Sequence, residues 1–182
     1  MNELGFEGKA SASLTRQRVV ESSMSPQGHF TVEHIRDGEI LQTYSFPNGV
    51  TNVGKDNILE VAFHSGTQIT TWYVGLVDLI SFTALAAADT IASHGGWVEF
   101  TSYTESTRVT WAADAAASQA ISNSTPATFN INATGTVKGV FVVSNNVKSG
   151  TTGTLWATAL FTADVAVVNT DQLKVTYTVS AA

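Results

Sequence analysis

Short segments of period-two alternation, cut by Gly, Ser and Asn, are what most restrict the fold open to this chain. The plainest lies near the C-terminus, where Leu173, Val175, Tyr177 and Val179 alternate with Lys174, Thr176, Thr178 and Ser180. Because successive side chains on a strand point to opposite faces, this pattern makes one apolar and one polar face. Thr128 to Thr134 repeats it, with Phe129, Ile131 and Ala133 on one side and Asn130, Asn132 and Thr134 on the other. Val140-Phe141-Val142-Val143 is apolar on both faces, which predicts a strand in the middle of a sheet. Leu155, Ala157, Ala159 and Phe161 form a further inward set after the turn Ser149 to Gly153.

The earlier half of the chain reads the same way with one exception. Phe30 and Val32 alternate toward Asp37-Gly38, and Ile40, Gln42, Tyr44 and Phe46 alternate away from it. Asp-Gly suits a type I′ turn, so the spacing predicts a hairpin. Trp72 to Asp78, Trp97 to Tyr103 and Thr107 to Trp111 read as strands, and Ala84 to Ala92 as a short helical turn. Between these, Ile58, Leu59, Val61, Ala62 and Phe63 have helical spacing after Asn52 to Asn57, with Gly66 as the stop. No fixed-period repeat is present, which argues against a solenoid or propeller. The expected fold is therefore all-β, a β-sandwich or jelly roll with one short α-helix.

Residues 1–28 contain few bulky apolar side chains, among them Leu4, Phe6, Leu14, Val19, Val20 and Met24, too few for a core of their own. They read as an extended N-terminal arm, and residues 29–182 as a single domain. The 182 residues suffice for one substantial core.

Charge and cysteine content exclude several functions. A formal net charge of -6 without any Lys/Arg cluster leaves nothing to neutralise phosphates, so direct nucleic-acid binding is not expected. The absence of cysteine removes disulfides, thiolate chemistry and Cys-based zinc sites. Met1 to Ala10 lacks the basic-then-apolar pattern of a secretory signal, and no apolar run approaches the ~20 residues that span a bilayer. A soluble, non-exported protein is the expectation. From Val109 to Ala182 the only charges are Asp114, Lys138, Lys148, Asp164, Asp171 and Lys174. A polar face built from hydroxyls and amides suits contact with other protein, which points to assembly.

Reactive side chains concentrate in Asp89-Thr90, Ser93-His94-Gly95-Gly96-Trp97 and Glu99, with His64 at the helix end. Asp89, His64, His94 and Glu99 are all of metal-ligating type, yet no spacing matches a ligand motif, so no metal or cofactor is expected. Ser93, His94 and Asp89 are sequence neighbours, which rarely face one another as a catalytic triad requires, and no Gly-x-Ser-x-Gly elbow is present. The competing expectation is a turn in which His94 and Asp89 tie down a loop with Trp97 packed behind it. Glu99 and Glu105 could flank a sugar-cleaving cleft but read equally as solvated. Trp72, Trp97, Trp111 and Trp156 could stack on sugar rings, although burial by a second sheet or a subunit is the commoner fate of such residues. Trp156 alternates away from Leu155, Ala157 and Ala159, which places it on an outer strand face suited to subunit contact. Asn123-Ser124-Thr125 and Asn132-Ala133-Thr134 fit the glycosylation pattern.

Phe46-Pro47-Asn48-Gly49-Val50-Thr51-Asn52-Val53-Gly54-Lys55-Asp56 before an apolar helix resembles small virion proteins of tailed bacteriophages. So do Tyr73 to Asp78, Asp89-Thr90 with His94 to Glu99, and Gly150 to Leu155, a likeness of pattern across residues 46–160. The resemblance implies a non-enzymatic decoration or cement protein on the capsid surface, assembled in the host cytoplasm, that binds the major capsid protein as a dimer or trimer. A tail-fibre or baseplate piece, or a carbohydrate-binding adhesin, is the alternative. On the cement reading, Phe6, Leu14, Arg16, Arg18 and Val19 in the arm, together with Trp156, are the expected partner-binding residues.

Overall fold

The computed structural model of the chain describes residues 26–181. Its first strand, β1 (Pro26–Arg36), turns at Asp37-Gly38 into β2 (Glu39–Pro47). Asp37 and Gly38 have φ of 53° and 83°, the paired positive values that a type I′ turn demands and that Asp-Gly tolerates. The two-residue strand β3 (Gly49–Val50) leads into α1 (Asn52–Phe63), followed by β4 (Trp72–Asp78), β5 (Glu99–Phe100), β6 (Val109–Trp111), β7 (Ala120–Ser122) and β8 (Ala127–Asn130). Three long strands complete the fold: β9 (Gly135–Val143), β10 (Leu155–Val167) and β11 (Gln172–Ala181).

These strands form two antiparallel sheets facing each other, an all-β sandwich with one helix. The first sheet runs β2-β1-β11, with the far side of β11 shared by β7 and β8. The second runs β3-β10-β9-β4, with the far side of β4 shared by β5 and β6. Between them lies the main core, including Phe30, Val32, Phe129, Leu173, Val175 and Tyr177 from one sheet and Val74, Leu76, Val140, Val142 and Ala157 from the other. A second cluster, Val77, Ile91, Trp97, Phe141, Val143 and Leu155, lies on the outer face of the second sheet. There the connection between β4 and β5 acts as a third layer. This accounts for the doubly apolar run Val140 to Val143: one face meets the opposing sheet and the other meets this connection.

Several boundaries differ from the sequence expectations. Pro26, Gln27 and Gly28 already pair with Ala181, Ser180 and Val179, so the β-domain starts before residue 29. Residues 1–25, and with them Phe6, Leu14, Arg16, Arg18 and Val19, lie outside the described residues. Ala84 to Ala92 forms turns with no helical segment, and Trp97 to Tyr103 contributes only Glu99–Phe100 to a strand. Glu99 turns inward to an arginine and Tyr103 forms only a single bridge with Ile131, so the ladder cannot continue.

Trp156 is the most instructive correction. It is 7% exposed and faces the inter-sheet core beside Ala157, not an outer surface. Leu155 pairs with Val143 while Ala157 pairs with Val142, leaving Trp156 as the extra residue of a bulge that resets the alternation. The bulge also anchors the helix. Thr51 donates its backbone N–H to the Trp156 carbonyl and its hydroxyl to the Leu155 carbonyl, and the same Oγ1 accepts from Gly54 N at 3.1 Å as an N-cap. Gly54 is the sole buried residue of α1, and a Cβ there would stand 2.6 Å from the Trp156 carbonyl oxygen.

Gly54 therefore sets two effects against each other. Alanine is the better helix former by about 1 kcal/mol, but the contact is with backbone that cannot rotate away. Gly54→Ala is expected to lower stability by about 1–3 kcal/mol in urea unfolding, and a stabilised variant would refute this anchoring.

Candidate functional site: an apolar cleft beneath α1

The residues that looked chemical in the sequence are each engaged in structure. His64 Nδ1 donates to Glu60 at 2.7 Å, an exposed pair one helical turn apart. Asp89 Oδ2 accepts from Trp97 Nε1 and from Ala86 N, both at 2.9 Å. His94 donates from Nδ1 to the Trp97 carbonyl at 3.0 Å and stacks on the Trp97 ring at 3.9 Å. These contacts realise the loop-tying turn expected from sequence. Glu99 binds Arg108 through two hydrogen bonds of 3.0 and 2.9 Å, and Arg108 also donates to the Asn145 and Gly150 carbonyls. This ion pair is buried, with 1% and 4% side-chain exposure, and its remaining polar atoms are engaged. Among the described residues no group of three or more His, Asp or Glu gathers to hold a metal. Asp89, His64, His94 and Glu99 do not converge.

A second polar cluster ties β1 to the turn before β11. Asp171 is fully buried and accepts from Arg36 Nε at 2.7 Å, Arg36 at a second nitrogen at 2.8 Å, His34 Nε2 at 2.8 Å and Val168 N at 2.9 Å. Burial alone would push its carboxyl pKa up. The hydrogen bonds from Arg36, His34 and Val168 outweigh that and hold it well below the ordinary carboxylate range. No nucleophile adjoins the cluster in this bonding set, and both carboxylate oxygens are consumed.

A cleft of about 590 Å³ opens between α1 and the edge of the sandwich. Asn57, Ile58, Val61 and Ala62 of α1 form one wall, and Gln68 to Thr71 continue it. Thr110 to Ala113, Ile121 and Val179 form the other, and Trp72, Trp111, Trp156 and Val142 complete the lining. The indole N–H groups are engaged inside the protein. Trp156 Nε1 donates to the Tyr177 hydroxyl at 2.8 Å, and Trp111 Nε1 to Asn123 Oδ1 at 3.0 Å and the Tyr177 carbonyl at 3.1 Å. Burial pushes the Tyr177 hydroxyl pKa up, so it stays a neutral partner for Trp156. Among the described residues the lining carries no titratable side chain, and its walls suit apolar groups. Its size falls in the usual range for ligand and docking pockets.

Of the tryptophans proposed for sugar stacking, Trp97, Trp111 and Trp156 are 2%, 8% and 7% exposed, and Trp72 is half-buried. Asn123 is 2% exposed and donates to the Thr125 and Val175 carbonyls, so in the folded chain its glycosylation pattern is inaccessible. The cleft itself escaped the sequence reading. Its one legible signal is that Leu59 and Phe63 widen the apolar face of the helix beyond the single stripe a sheet can cover. No protein-family model and no curated protein matches the chain.

Asp171→Asn is expected to cost about 3 kcal/mol at neutral pH, because it leaves the Arg36 guanidinium without its counter-charge and His34 with a weaker partner. The sign with pH follows from the depressed carboxyl. Below the unfolded value of about 4 the unfolded chain binds more protons than the folded one, so the contribution of Asp171 is complete above that pH and lost as pH falls further. Urea midpoints of parent and variant should therefore draw together below pH ~4. A gap that stays constant would contradict the assignment.

Proposed function

We propose that the chain is a non-enzymatic virion structural protein, a decoration or cement protein that binds the major capsid protein on a tailed-bacteriophage head as a homo-oligomer. The observation that carries this reading is the outward face of α1. Leu59 and Phe63 stand one turn apart and are 53% and 76% exposed. Single exposed apolar residues need no explanation, but two on one helical face beside an apolar cleft form a patch suited to burial against protein. Engagement of the acids and histidines in internal hydrogen bonds favours an adhesive role over a catalytic one. The resemblance of residues 46–160 to phage virion proteins supplies the kind of partner.

The test pairs mass with binding. Light scattering at micromolar concentration should give a dimer or trimer, and the protein should bind shells assembled from the major capsid protein. Leu59→Asp with Phe63→Asp should fold normally, since both sites are exposed, yet bind shells at least about 30-fold more weakly. Equal binding by the variant, or a parent protein that ignores shells, would overturn the proposal.

A further inference from the structure

On β1 and β11, residues buried in the core alternate with half-buried or exposed ones, so His29, Thr31 and Glu33 stand outward beside Thr178, Thr176 and Lys174. Directly paired residues of antiparallel strands share a face. Thr43 and Ser45 of β2 extend these rows on one side, and Ser122 and Thr128 of β7 and β8 on the other. The result is a polar face of hydroxyl groups on the outer side of the first sheet. The outer side of the second sheet differs, since the connection between β4 and β5 packs on it.

Within these rows the formal charges are Glu33 and Lys174, which are directly paired across the two central strands. Neither belongs to an ion pair among the described residues. An isologous contact lays a surface on its own copy, so its charges repel unless the two-fold axis exchanges positions of opposite sign. Glu33 and Lys174 meet that condition. With the axis along the seam between β1 and β11, the two faces stack as aligned sheets and each Glu33 lies over the partner's Lys174. The same operation sets Thr31 over the partner's Thr176, hydroxyls that can each donate and accept. Four strands about 4.8 Å apart and about 30 Å long cover about 600 Å² per partner, or about 1,200 Å² in all, which reaches the size of a specific interface.

We propose that the outer face of the first sheet is a two-fold interface at which the chain binds a second copy of itself, with Glu33 and Lys174 pairing reciprocally across it. This rests on the homo-oligomer part of the proposed function and narrows it to a dimer. Leu59 and Phe63 stay available to the other partner, because α1 is anchored on β10 of the second sheet.

The test is the mass of the full-length protein by light scattering across micromolar concentrations, where the parent should be a dimer. Glu33→Lys sets lysine against lysine at both reciprocal contacts, and Lys174→Glu sets glutamate against glutamate. Each variant alone should therefore dissociate at least about tenfold more readily than the parent. An equimolar mixture of the two variants should recover a heterodimer of near-parental affinity, because every contact then joins opposite charges. Recovery also shows that both variants are folded, and an ion pair confined to one chain predicts none. A parent that is a monomer or a trimer, variants that keep the parental mass, or a mixture that fails to recover would each overturn the assignment. A parent trimer, or a dimer that neither variant affects, leaves the capsid proposal standing, whereas that proposal is judged by the parent's binding to shells.

Discussion

The structure depends on the pairing of Gly139 to Val143 of β9 with Leu155 to Ala159 of β10, two stretches buried on both faces. Such strands cannot lie at a solvated surface, because either face left in water would forfeit its burial energy. One face is covered by the β1-β11 sheet. The other needs a cover that no strand supplies, and the connection from Leu79 to Val98 provides it by folding Ile91 and Trp97 onto Phe141 and Leu155. The contacts of Asp89 and His94 follow from this requirement. A loop that must lie flat on a sheet needs its turns fixed, and their hydrogen bonds to Trp97 and Ala86 fix them.

The same logic governs the buried charges. Arg108 and Asp171 are both almost fully buried, and each is surrounded by enough partners to offset desolvation. Arg108 joins Glu99 to the carbonyls of the β9-β10 connection, while Asp171 joins β1 to the turn before β11. Both clusters hold elements distant in sequence at a defined spacing. Their carboxylates are thereby removed from any chemistry at the surface.

The cleft arises from a conflict between helix and sheet. The bulge at Trp156 presents two carbonyls to Thr51, and Gly54 lets the first turn of α1 settle on them. Beyond that anchor Ile58 packs against the edge of the core, and Ile58, Val61 and Ala62 also line the cleft. Leu59 and Phe63 then face outward. The helix thus keeps apolar groups on two sides, and Leu59 and Phe63 stay exposed among the described residues.

Alternation and turn chemistry determined much of this by themselves. The hairpin at Asp37-Gly38, the strand Trp72–Asp78, the central position of Val140 to Val143 and the final strand all follow from local periodicity and backbone preference, and tertiary packing agrees with them. The helical spacing of Ile58 to Phe63 pointed to α1, but its start at Asn52 depends on the Thr51 cap, which only the fold shows. Tertiary structure alone decided the orientation of Trp156, because a one-residue bulge reverses every inference drawn from period two. It alone decided the fate of His64, His94, Asp89 and Glu99, whose partners in space cannot be read from their spacing in sequence. The cleft belongs to the same class. Its walls come from a helix, two short strands and the C-terminal strand, elements that meet only in the fold.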